Sequence, residues 1–120
     1  MSISNYAENK LLDTIRGTSF SVSNAYLKLH TGDPGEDATA NAATEATRKV
    51  VSFSAASSGS MASSGTVEWA NVSTTETVTH WSLWDASTGG NALWSGALAS
   101  SAALTAGDTF QITSLTITLD

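Results

Sequence analysis

Cysteine is absent from the 120 residues. That excludes a disulfide framework and any thiolate metal site, and makes the redox compartment immaterial. No apolar run approaches the roughly 18 residues that a membrane-spanning helix needs, so no membrane partner is expected. The opening residues MSISNYAENK lack a basic stretch followed by an apolar one, so no secretory signal is expected. Charge is scarce too. Asp, Glu, Lys and Arg make up 13% of the chain, about half the ordinary share. Basic residues are the rarer kind: Lys10, Arg16, Lys28, Arg48 and Lys49 stand against 11 acids, for a net charge of -6. An acidic surface repels phosphate backbones, and only Arg48 and Lys49 adjoin, so nucleic acid is not an expected partner either.

Catalytic and metal-binding constellations are missing as well. The two histidines, His30 and His80, have no second His nearby, whereas a zinc site needs three or four converging ligands. Serines abound, yet none sits in a Gly-x-Ser-x-Gly elbow that opens a helix. Ser58-Gly59-Ser60 lies in a Ser/Gly stretch unsuited to holding a nucleophile. Asp33, Glu36 and Asp37 share a loop but not the spacing of a calcium-binding EF-hand, and a solvated acidic turn is the simpler reading. Gly89-Gly90 suits a hairpin turn better than a phosphate loop. No enzymatic activity, cofactor or metal is expected.

What is present is a helix followed by strands. In SISNYAENKLLDTIRG, Ala7, Leu11, Leu12 and Ile15 recur at helical spacing. Ser4 or Asn5 can cap the start, with Glu8 three residues after Asn5, and Gly17 suits the left-handed position that ends a helix. The spacing predicts a helix over 5–16, within an N-terminal segment 1–17. So short an amphipathic helix needs a partner surface, either its own sheet or a neighbouring subunit. AYLKLH, 25–30, alternates as a strand, with Leu27 and Leu29 facing the core. Residues 36–47, EDATANAATEAT, are polar and small without an apolar stripe, which predicts a flexible loop or arm that orders on a neighbour. Strands are predicted at 49–55, 66–70, 77–85 and 92–98, the last two as a hairpin, with 56–65 a flexible Ser/Gly connection. Gly96 inside the second hairpin strand predicts a bulge or a close approach. In the final stretch Phe110 and Ile112 keep one phase while Leu115, Ile117 and Leu119 keep the other, which predicts a bulge near Thr113-Ser114. The expected architecture is mainly β: one domain over 1–120, an antiparallel sandwich or barrel-like fold of about seven short strands with one N-terminal helix.

Four tryptophans, Trp69, Trp81, Trp84 and Trp94, are many for this length. Trp81 and Trp84 have opposite strand parity, so both cannot face one core. Either the outer face is covered by the helix, or one ring anchors a subunit interface, where Trp is enriched. A sugar-binding platform is a third reading, with only Asp85 and Asn91 beside it.

Three stretches in order resemble a family of small tailed-bacteriophage virion proteins: SNYAENKLLD, AYLKLHTGDPG, and VTHWSLWDASTGGNALWSGAL followed by AGDTFQITSLTITLD. The resemblance implies a virion structural protein. Such proteins are usually labelled tail fibre proteins, and similar β-folds serve as cement on capsids. It carries over no catalytic residue. Before the strand, where the family usually has Gly-Gly-aromatic-Arg, this chain has EATRKVVSF, in which only Arg48 matches in kind. The expectation is a cement or decoration protein on the outer capsid surface, bound to the major capsid protein and to itself as a homo-oligomer around a local three-fold. The alternative is a tail-fibre or baseplate component that contacts a host receptor. The residues expected at the interface are Leu11, Leu12 and Ile15 on the helix, Glu36 and Asp37 in the loop, and Arg48 and Trp84.

Overall fold

Alternation of apolar and polar residues decides where this core lies. The computed structural model describes residues 1–119. In chain order the elements are β1 (Ser2–Ile3), α1 (Asn5–Ile15), β2 (Ala25–His30), β3 (Lys49–Val51), β4 (Ser60–Ala62), β5 (Val67–Trp69), β6 (Glu76–Trp84), β7 (Ala92–Leu104), β8 (Phe110–Ile112) and β9 (Thr116–Thr118). The protein is mainly β; among the described residues every strand pair is antiparallel and there is one helix. A five-stranded sheet runs β1-β7-β6-β2-β3, and β4-β9 and β5-β8 form two ribbons. One apolar core joins them: Leu27, Leu29, Trp81 and Leu83 from the sheet, and Val67, Trp69, Ile112 and Ile117 from the ribbons.

Register explains the core. Leu27 lies opposite Leu83 and Leu29 opposite Trp81, so one face of the sheet is continuously apolar. Gly96 lies opposite Trp81. A Cβ there would stand 2.7 Å from Trp81 Cζ2, so the expected close approach is that of the indole itself. The expected bulge at Thr113-Ser114 is a larger event. The chain leaves β5 after Ile112 and pairs with β4 from Thr116, so the phase slip marks a change of partner. The Ser/Gly stretch read as flexible forms a tight turn instead. Ser57 and Ser60 exchange backbone hydrogen bonds at 2.8 and 3.0 Å, and Ser58 and Gly59 take positive φ of 53° and 75°. This turn starts β4 and raises the strand count above the expected seven.

Helix α1 starts where the Ser4 hydroxyl accepts from Ala7 N–H at 3.1 Å. The same hydroxyl donates to the Ala92 carbonyl, which fastens the cap to β7. Arg16 follows as the C-cap and Gly17 has φ of 96°. The buried stripe is narrower than expected. Ala7 is buried and Leu11 half-buried, but Leu12 is 64% and Ile15 84% exposed. Leu12 lies about 100° around the helix from Leu11, and Ile15 is the last residue of the helix.

Candidate interaction surface

The sheet's other face carries the polar half of each alternating strand. On β2 these are Tyr26, Lys28 and His30; opposite them on β6 are Trp84, Ser82 and His80. Ser95 of β7 continues the row beside Ser82. Part of this face is covered by the chain itself. The segment expected to be a flexible arm, 36–47, is instead held against the sheet with residues 31–35, and Ala42 bridges His30 beside the end of β2. Thr31 N–H donates to Asn41 O at 2.9 Å and Ala43 N–H to Leu29 O at 3.1 Å. Ser95 Oγ donates to Gly35 O at 3.4 Å. The Glu76 carboxylate accepts from the amides of Thr44 and Glu45 at 2.9 and 3.0 Å. Ala38 and Ala43 are 1% and 3% exposed, and Pro34 is fully buried. Small side chains, read as having nothing to bury, are what let the backbone lie this close to the sheet.

Under this cover runs a directed chain of hydrogen bonds. His30 Nδ1 is 2.9 Å from the Ala40 carbonyl, which can only accept, so Nδ1 carries the proton. Nε2 then accepts from the Ser82 hydroxyl at 2.7 Å. Ser82 Oγ in turn accepts from Trp84 Nε1–H at 2.8 Å. Every donor has one acceptor, and the chain links the loop at Ala40 to the outward-facing Trp84. Burial pushes the His30 pKa below its ordinary value, against an opposing pull from the Ala40 carbonyl. The imidazole is therefore neutral at pH 7.

Beyond the loop's edge the face opens. The Arg48 guanidinium lies 4.0 Å from the Trp84 ring centroid, and the Lys28 ammonium 5.8 Å. Arg48 Nη1 also donates to the carbonyls of Ala86 and Gly89, at 2.9 and 2.7 Å, and so pins the β6–β7 hairpin loop. Asp85 pairs with Asn91 N and Nδ2, at 2.7 and 3.1 Å, rather than with a cation. Burial lowers the pKa of Lys28, with repulsion from Arg48 second, and burial lowers that of Arg48, with Asp85 opposing.

The expected interface residues thus fall on two sides of the sheet. Arg48 and Trp84 meet on the outer face. Glu36 and Asp37 sit exposed in the loop over that face, at some remove along it. Leu11, Leu12 and Ile15 are on the core side with α1. There Leu11 lines an apolar hollow of about 430 Å³ with Phe20, Val22, Phe53, Met61 and Trp94. It also lines a second, of about 300 Å³, with Ile117 and Leu119. Sequence reasoning missed Lys28 as a member of the Trp84 group, and Ser82 as its link to His30. The alternation of AYLKLH put Lys28 on the outer face, but only the β2–β6 register brings it to Trp84.

Among the described residues no helix is long and apolar enough to cross a membrane. No group of three or more His, Asp or Glu residues among them is placed to hold a metal ion. What the geometry shows is an antiparallel β scaffold with an aromatic-cation group on its outer face. A family model described as podophage GP4 fiber I protein gp80 matches residues 2–120. The chain belongs to that family, and is a phage virion structural protein. No match was found among curated proteins.

Proposed function

We propose that this protein is a component of a tail fibre that contacts the host surface. The observation that carries the reading is the fibre family match over residues 2–120. It favours the alternative weighed from the sequence over a capsid cement. The shape agrees with it. The principal extents are 48 × 26 × 23 Å, so the subunit has a long axis. Copies associate with one another, since virion parts are built by closed symmetry and α1 leaves Leu12 and Ile15 open. On this reading its partners are at the tail, and the major capsid protein is not among them.

Gold-labelled antibody against the chain, viewed on intact particles, tests the position. Label confined to the tail end is expected, at a handful of copies. Label covering the head would restore the cement reading and overturn this one. Host contact is tested separately: soluble protein should slow phage adsorption to host cells, and adsorption unchanged at saturating protein would exclude it.

A further inference from the structure

The Arg48–Lys28–Trp84 group is oddly charged for this chain. Acids outnumber bases 11 to 5, yet two of the five cations converge on one indole ring. Neither forms an ion pair, since the single one among the described residues is Arg16 with Asp13; Asp85 acts on Arg48 through its charge but hydrogen-bonds to Asn91. Like charges placed together repel unless an anion joins them. The Nη1 atom of Arg48 is used by two carbonyls, but its Nε–H and Nη2 bond to no protein atom among the described residues, nor does the Lys28 ammonium. A guanidinium fixed by a ring and two carbonyls is pre-organised, so its free edge offers a forked donor at little entropic cost.

We infer that Arg48, Lys28 and Trp84 form a binding site for the acidic group, carboxylate or phosphate, of a surface saccharide. The inference rests on the proposed host-contacting role and names the chemistry of the receptor. The surroundings favour a sugar over a peptide. β2 and β6 are interior strands paired on both sides, so no free edge offers main-chain bonds to an extended peptide. What lies exposed around the cations is a small flat field with the half-buried Tyr26 beside Trp84, and the hydroxyls and amides of the 85–91 loop. Aromatic edges with a few fixed polar groups suit one or two sugar units.

The test uses the full chain and three immobilised polymers: polygalacturonate for carboxylate, phosphomannan for phosphate, and polyglutamate as an acidic polypeptide. Dextran serves as the neutral control. Retention on one or both acidic polysaccharides, weakened by salt and at least about tenfold by Lys28→Gln, is expected. Lys28→Gln is the informative variant because Arg48 also holds the hairpin loop, so its replacement would remove more than a charge; circular dichroism checks that the variant is folded. Three results would overturn the proposal: retention on neither polysaccharide, equal retention on polyglutamate, or retention that Lys28→Gln leaves unchanged. Failure here with adsorption still blocked by soluble protein would reject the acidic ligand and leave the host-contacting role standing.

Discussion

Ser82 is the residue whose neighbours depend on it most. It is fully buried, and it is at once the acceptor for Trp84 Nε1–H and the donor to His30 Nε2. Ser82→Ala leaves both unpaired, one of them deeply buried. A loss of about 1–3 kcal/mol is expected in urea denaturation, with a change in Trp84 fluorescence. His30 gives this chain a pH dependence whose sign follows from its environment. Its folded-state pKa is lowered from 6.5, chiefly by burial. The stabilising contribution of the neutral ring is therefore fully present above about pH 6.5. It is lost as pH falls below that value toward the folded pKa, because the unfolded chain takes up the proton first. Lys28 on β2 and His80 on β6 face the ring and push the same way. An NMR titration should find the His30 imidazole ionising below the ordinary histidine range. Ionisation at or above that range would mean the hydrogen-bond chain is not as described.

At the scale of the element, α1 and the β6–β7 hairpin make opposite demands. The helix is short and held at one end, through Ser4 to β7, and by Ala7 beneath it. Leu12→Asp should therefore change the stability of the separate chain by less than about 0.5 kcal/mol, despite the hydrophobic pattern that assigned Leu12 to a buried stripe. The hairpin has no such tolerance at Gly96. Gly96→Ala would drive a Cβ to 2.7 Å from the buried Trp81 ring, and overpacking of this kind costs about 1–3 kcal/mol. A midpoint shift in denaturant with unchanged slope is expected.

For the whole molecule, the proposed association of copies turns on where apolar surface is left uncovered. Leu12, Ile15 and Leu119 are exposed, and Leu119 borders an apolar hollow with Leu11 of α1, while the Trp84 group lies on the opposite face of the sheet. A double variant, Leu12→Asp with Ile15→Asp, should fold normally and sediment as a smaller species than the parent. Identical sedimentation would remove α1 from the contact between copies. Chelator treatment should leave the melting temperature unchanged, since the sequence offers no converging ligand set.

Much of the fold was legible because it depends on local periodicity. Period-two alternation placed β2 at 25–30 with Leu27 and Leu29 inside, and helical spacing with a Ser cap placed α1 within a residue of its observed end. The opposite parity of Trp81 and Trp84 already put them on different faces. The sequence alone also determined the absence of thiol chemistry and the acidic balance, which are matters of composition. Tertiary structure decided the rest. Residues 36–47 read as a free arm because alanines carry no apolar stripe, yet Asn41 and Ala43 pair through their backbones beside the end of β2, and Glu76 holds the amides that follow. The phase slip after Ile112 signalled an irregularity, but its size depended on which strand lay alongside. Lys28 and Arg48 stand 20 positions apart in sequence, and Trp84 is farther still. Only strand register, a long-range property fixed by burying one face, brings two cations to one ring.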